Sequence, residues 1–99
     1  MVTISIVSYP PESAKEIGKR FLELSPMPDF INVVGPYAIP EILDGIQAFT
    51  IYKYDKSKAA EANEAIANAH LTFFGIPGYT YSLKLASGAD TSLKMLGLG

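Results

Sequence analysis

Val2-Thr3-Ile4-Ser5-Ile6-Val7-Ser8-Tyr9 sets β-branched apolar residues against hydroxyl-bearing ones, almost without a break. That period of two predicts a half-buried strand, with Val2, Ile4 and Ile6 on the core face. Pro10-Pro11 ends it, and a proline suits the first turn of a helix, where no amide hydrogen is needed. From there to Leu24 the apolar residues Ala14, Ile17, Phe21, Leu22 and Leu24 form a helical stripe. Lys15, Glu16, Lys19, Arg20 and Glu23 take the other face, with Glu16 and Arg20 at the favourable i,i+4 spacing. Gly18 lies beside Ile17, where close packing of helix on sheet is the expectation.

Ser25-Pro26-Met27-Pro28 breaks this helix, because two prolines remove two donors and fix two φ angles. Phe30–Val34 reads as a second strand fading at Gly35-Pro36. Tyr37–Gly45 reads as a connection with a helical turn around Glu41–Leu43, closed by the Asp44-Gly45 turn signal. Ile46–Tyr54 is a third strand, with Phe49 and Ile51 on one face and Ile46, Ala48, Tyr52 and Tyr54 on the other. Asp55 or Ser57 caps a second helix that runs to about Phe74 and stops at Gly75-Ile76-Pro77-Gly78. Tyr79–Ala86 alternates again as a last strand, and the Leu-rich tail, residues 87–99, holds a short helix after Asp90. The order β-α-β-β-α-β closes most naturally as a ferredoxin-like α+β sandwich. This would be a four-stranded antiparallel sheet with two helices on one face, forming a single domain over residues 1–99.

Composition narrows the chemistry. The 99 residues contain no cysteine and one histidine, which excludes disulfides, thiol nucleophiles and metal sites that need two imidazoles. A net charge of −2 argues against gripping nucleic-acid phosphates. The carboxylates are scattered without metal-ligand spacing, so no metal is expected. Met1-Val2-Thr3 opens no basic leader, and no apolar stretch approaches the roughly 20 residues of a membrane span. A cytoplasmic protein that does not engage a membrane is the expectation.

Two helices cover one face of such a sheet, so the other face should alternate polar if it meets water. It does not: the third strand is apolar or aromatic on both faces, and the first carries Val7 and Tyr9 beside Thr3 and Ser5. An apolar sheet face of this kind predicts a partner. A homodimer packed sheet on sheet is expected, with the Leu93, Met95, Leu96, Leu98 cluster of the tail reaching over the partner.

The element order, the proline-ended first strand, the Ala-rich second helix and Gly75-Ile76-Pro77-Gly78-Tyr79-Thr80-Tyr81 together resemble the dimeric α/β-barrel superfamily. The resemblance is strongest to its small, stress-response-like members and to those with no known activity. It implies two sheets closing into one barrel, with a pocket between each sheet and its own helices. Antibiotic-biosynthesis monooxygenases, haem-degrading monooxygenases and muconolactone-type isomerases belong to that group. In haem-degrading members a histidine of the second helix ligates iron, and His70 occupies a similar place. Those members also use a first-strand asparagine and a second-helix tryptophan; this chain has neither, and no cofactor is expected.

On a helical wheel Ala59, Ala62, Ile66, Ala69 and Phe73 share one stripe, opposite Glu61, Glu64 and Asn68. Asn63 and His70 lie at its edge, seven residues apart. The imidazole there could serve as acid or base, hydrogen-bond donor or ligand, or simply as a half-solvated boundary residue with Asn63 likewise. Six tyrosines fit either ordinary strand and interface positions or a pocket for aromatic molecules. His70 is the candidate catalytic residue, and Asn63, His70, Tyr52, Tyr81 and Phe73 are the candidate ligand-binding residues.

RNA recognition uses the same topology, but Asp44-Gly45-Ile46-Gln47-Ala48-Phe49 lacks the basic residue and paired aromatics that it needs. No Gly-x-Ser-x-Gly elbow, phosphate loop or dinucleotide fingerprint occurs. What is left is a small dimeric domain that binds a small apolar or aromatic molecule or acts as an interaction module. The alternative is a cofactor-independent monooxygenase- or isomerase-like enzyme with a helix–sheet pocket near His70. An enzyme needs that pocket open to His70 with a tyrosine hydroxyl or Asn63 converging on it; a binding or structural domain can fill it with Phe21, Phe49 and Phe73.

Overall fold

A computed structural model describes residues 1–40 and 45–98. In chain order it contains β1 (Val2–Tyr9), α1 (Ala14–Leu22), β2 (Asn32–Pro40), β3 (Ile46–Lys53), α2 (Ala59–Leu71), β4 (Thr80–Ala86) and α3 (Ala89–Met95). A 3-10 turn at Pro11–Ser13 leads into α1 and another at Lys56–Lys58 leads into α2. Asp55 makes the second junction, as its carboxylate accepts from the Ser57 amide at 2.9 Å. The fold is α+β: a four-stranded antiparallel sheet in the order β2-β3-β1-β4, with three α-helices among the described residues. The helical turn expected at Glu41–Leu43 falls outside the described residues.

Register shows which side chains share a face. Thr3 pairs with Tyr52, Ser5 with Thr50 and Val7 with Ala48 across β1 and β3. Thr3 Oγ1 donates to Asn63 Oδ1 of α2 at 2.7 Å, and Ser5 Oγ lies 2.6 Å from Nε2 of His70. The helices therefore cover the Thr3/Ser5 face. This reverses the reading of β1, in which Val2, Ile4 and Ile6 were expected to face the core. Alternation divides a strand into two faces without saying which one the helices cover. Here the hydroxyls can go inside because α2 brings polar partners to them.

The second correction is at β2. The strand does not fade at Gly35-Pro36 but continues to Pro40. Val34 pairs with Ile51 and Tyr37 with Phe49, so Gly35 and Pro36 together oppose Thr50 in a β-bulge. Gly35 takes φ +105°, which a side chain would oppose. Because β2 is an edge strand, the missing amide hydrogen of Pro36 costs no interior ladder bond.

Packing is uneven across the helix side. Ile31, Tyr52, Tyr54, Ala62 and Ile66 form the buried apolar cluster, with Met27, Ala59, Ala65 and Leu83 against it. This core sits under α2. Beside it, the Tyr54 hydroxyl lies 2.6 Å from Thr3 Oγ1, and Asn63 Nδ2 donates to the Tyr54 hydroxyl and to the Ala59 carbonyl. With the Thr3–Asn63 bond this closes a ring in which every polar group has a partner, as burial requires. By contrast, α1 buries none of its residues.

Three contacts hold α1 from its two ends. Ser13 Oγ donates to the Pro77 carbonyl at 2.7 Å. Arg20 donates to the carbonyls of Thr72 and Phe74, at 3.1 and 2.8 Å, past the end of α2. The loop that receives Ser13 turns at Gly78, whose φ is +77° and whose Cβ would lie 2.5 Å from Pro10 Cδ. Gly78→Ala is therefore expected to lower stability by about 2 kcal/mol, through left-handed strain and displacement of Pro10. Urea unfolding measures it, and a loss under about 0.5 kcal/mol, the ordinary surface range, would contradict the tight approach.

Candidate functional site

The poorly filled space under α1 is a cavity of about 510 Å³. Its roof is the apolar stripe of α1, with Ala14, Ile17, Gly18 and Phe21. Its floor is the helix side of the sheet: Ser5, Val7 and Tyr9 of β1, Ala48, Thr50 and Tyr52 of β3, and the β2 bulge. Ala69, His70, Phe73 and Tyr79 close one side and Leu24, Ser25 and Met27 another. Gly18 is the telling roof residue, as a Cβ placed there meets nothing within 4 Å. The expected close approach of helix to sheet does not occur at this position.

His70 lies on the buried line Ala62–Ile66–His70 of α2, not at its edge, and is 5% exposed. Its Nδ1 lies 2.7 Å from the Ile66 carbonyl. A carbonyl only accepts, so Nδ1 carries the proton and Nε2 of the neutral ring has a free lone pair. The Ser5 hydroxyl must then donate to Nε2. Burial pushes the His70 pKa below its ordinary value, against the opposing pull of the Ile66 carbonyl, so the ring is neutral at pH 7.

Around this pair runs an aromatic row. The rings of His70 and Tyr81 are 5.0 Å apart, those of Tyr79 and Tyr81 5.9 Å, and Phe73 stacks on Tyr79 at 5.4 Å. The Tyr79 hydroxyl is buried without a hydrogen-bond partner. Burial, and then the nearby phenols of Tyr81 and Tyr52, hold it protonated far above the usual tyrosine range. Burial also raises Tyr52, opposed by its hydrogen bond with Thr50.

Of the residues expected at a site, His70, Tyr52 and Phe73 line the cavity together. Tyr81 packs against the His70 ring, and Asn63 is engaged by Thr3, Tyr54 and Ala59. Neither of these two is among the residues that line the cavity. Sequence reasoning passed over Ser5, which is 65 residues from His70 along the chain. Its signal was a serine in mid-strand on the face opposite Ile4 and Ile6. Phe21 and Phe73 form walls of the space instead of filling it, and Phe49 lies on the other face of the sheet. Among the described residues no cluster of His, Cys, Asp and Glu could hold a metal ion.

The buried neutral histidine has a consequence in acid. Its folded-state pKa is depressed, so the unfolded chain binds the proton more readily. Stability is expected to be level above the unfolded value near 6.5 and to fall as pH drops through it toward the folded value. Thermal melts between pH 8 and 5 measure this, and His70→Gln should flatten that part of the profile. An unchanged slope in the variant would contradict the assignment.

No family model matches the chain, and no curated protein matches it. Among solved structures it is similar to a DUF3240 family protein from Shewanella baltica OS155, with a TM-score of 0.38 and 15% sequence identity. The match covers 88% of this chain and 91% of that one. A likeness of that size transfers neither fold nor function. Among the described residues no helix is long and apolar enough to cross a membrane.

Proposed function

We propose that this chain is a single small-molecule-binding domain that works as a homodimer, with a small apolar or aromatic ligand held between the sheet and its helices. The observation that carries the binding reading is the 510 Å³ cavity, within the range of ordinary ligand sites and roofed by an amphipathic helix that buries no residue of its own. The sheet order, read from its other edge as β4-β1-β3-β2, supports a ferredoxin-like unit.

Pairing of two units as a dimeric α/β barrel is supported by the uncovered sheet face. Ile4, Ile6, Val34, Phe49 and Ile51 lie together there, with Lys53 and Lys84 toward the rim. An apolar centre inside a charged rim is the anatomy of an interface. The exposed Leu93, Met95, Leu96 and Leu98 on and beyond α3 are the tail's contribution to the same contact.

The cavity reading is tested with a neutral fluorescent reporter, N-phenyl-1-naphthylamine. The protein is expected to bind it saturably, and Gly18→Leu, which fills the open roof, should abolish the signal. That variant should fold, because leucine is a better helix former than glycine. Equal signals from both proteins, or none from either, would overturn the reading. A second reading is supported by the Ser5–His70 hydrogen bond: an enzyme in which the neutral imidazole, through Ser5, removes a proton from the bound molecule. Monooxygenase-like or isomerase-like turnover without a cofactor belongs to that reading.

A further inference from the structure

The polar groups of the cavity define its ligand more narrowly than apolar or aromatic. None of the lining side chains carries a charge at neutral pH. Of the cations of α1, Arg20 is committed to Glu16 and to the carbonyls of Thr72 and Phe74, and Lys15 and Lys19 are exposed and outside the cavity lining. A carboxylate entering the cavity would lose its hydration and gain no counter-charge, which costs several kcal/mol. His70 offers it no proton: Nδ1–H is held by Ile66 and Nε2 is an acceptor already taken by Ser5.

Ser5 completes the logic. Its single hydroxyl proton goes to Nε2, so toward the cavity its oxygen has only lone pairs to offer. The unpartnered Tyr79 hydroxyl, on a residue that also lines the cavity, is a donor. The uncharged wall therefore offers an acceptor at Ser5 and a donor at Tyr79, and favours a neutral molecule whose polar group can both donate and accept. On this ground, and resting on the cavity reading above, we infer that the ligand is an uncharged, largely apolar alcohol or phenol whose hydroxyl donates to Ser5 Oγ. The volume fits a molecule of more than one ring or a comparable chain.

The test uses three probes on one scaffold, titrated calorimetrically into the full chain: 4-hydroxybiphenyl, 4-methoxybiphenyl and biphenyl-4-carboxylate. The phenol is expected to bind roughly tenfold more tightly than the ether, the worth of one hydrogen bond at a site that is otherwise matched. The carboxylate should bind more weakly than either. Ser5→Ala, made in a His70→Phe background so that no freed Nε2 replaces the lost acceptor, should bring phenol and ether together, and Gly18→Leu should lose all three. Equal binding of phenol and ether, or preference for the carboxylate, overturns this inference and leaves the cavity reading standing. Should Ser5→Ala fail to fold in that background, the wild-type ranking still decides. No binding of any probe overturns both.

Discussion

Ile51→Lys is expected to convert a particle of twice 10.7 kDa into one of 10.7 kDa in light scattering at low micromolar concentration. Ile51 sits between Ile4 and Val34 on the sheet face turned away from α1 and α2, with Phe49 and Ile6 one rung along. In an isolated chain a lysine there extends into water, at a cost on the order of 0.5 kcal/mol. In a face-to-face dimer the same ammonium is buried near the centre without a counter-charge, which costs several kcal/mol. Four kcal/mol corresponds to about a thousandfold in the dissociation constant, so the effect is large and confined to association. A control at the rim, Lys84→Ala, should leave the dimer intact. A wild-type chain that elutes as a monomer would remove the homodimer from the proposal.

Ile66→Ala is expected to destabilise the fold by about 3–4 kcal/mol, because it removes buried methyl groups and leaves a hole that the surroundings fill only in part. Ile66 is fully buried in the cluster with Ile31, Tyr52, Tyr54 and Ala62. For a domain of this size the melting temperature should fall by at least about 10 °C. Ile17→Ala is the informative comparison. Ile17 is only half-buried and faces the cavity, so its removal should cost about 1 kcal/mol or less. Comparable losses at both positions would mean that α1 carries as much of the core as α2.

Much of the architecture was legible because it rests on local rules. Eight alternating residues make β1 and the small-residue stripe makes α2. An aspartate before a helical run marks where it begins, although Asp55 caps the 3-10 turn Lys56–Lys58 that leads into α2 and not α2 itself, whose N-cap is Lys58. The misreadings share a cause, which is that local patterns do not contain strand neighbours. Nothing within β1 says whether Thr3 and Ser5 or Ile4 and Ile6 meet the helices; the decision lies in Asn63 and His70, some sixty residues later. Gly35-Pro36 normally stops a strand, and it fails to do so here because β2 has a neighbour on one side only. The site divides the same way. His70 stood out as the single histidine beside an alanine stripe, whereas Ser5 acquires meaning only once β1 lies beneath α2.

The bulge in β2 also bears on what kind of assembly this surface permits. A sheet with straight, unguarded borders can extend strand by strand into fibres, since each border offers a ladder of unpaired amides and carbonyls. Here the outer strand kinks at Gly35-Pro36, and at Pro36 there is no amide hydrogen to offer. Growth along that border is interrupted at its middle, while Ile4, Ile6, Phe49 and Ile51 stay together on the sheet face. In the proposed face-to-face dimer, this interruption favours a contact that closes on itself over one that propagates along the β2 border.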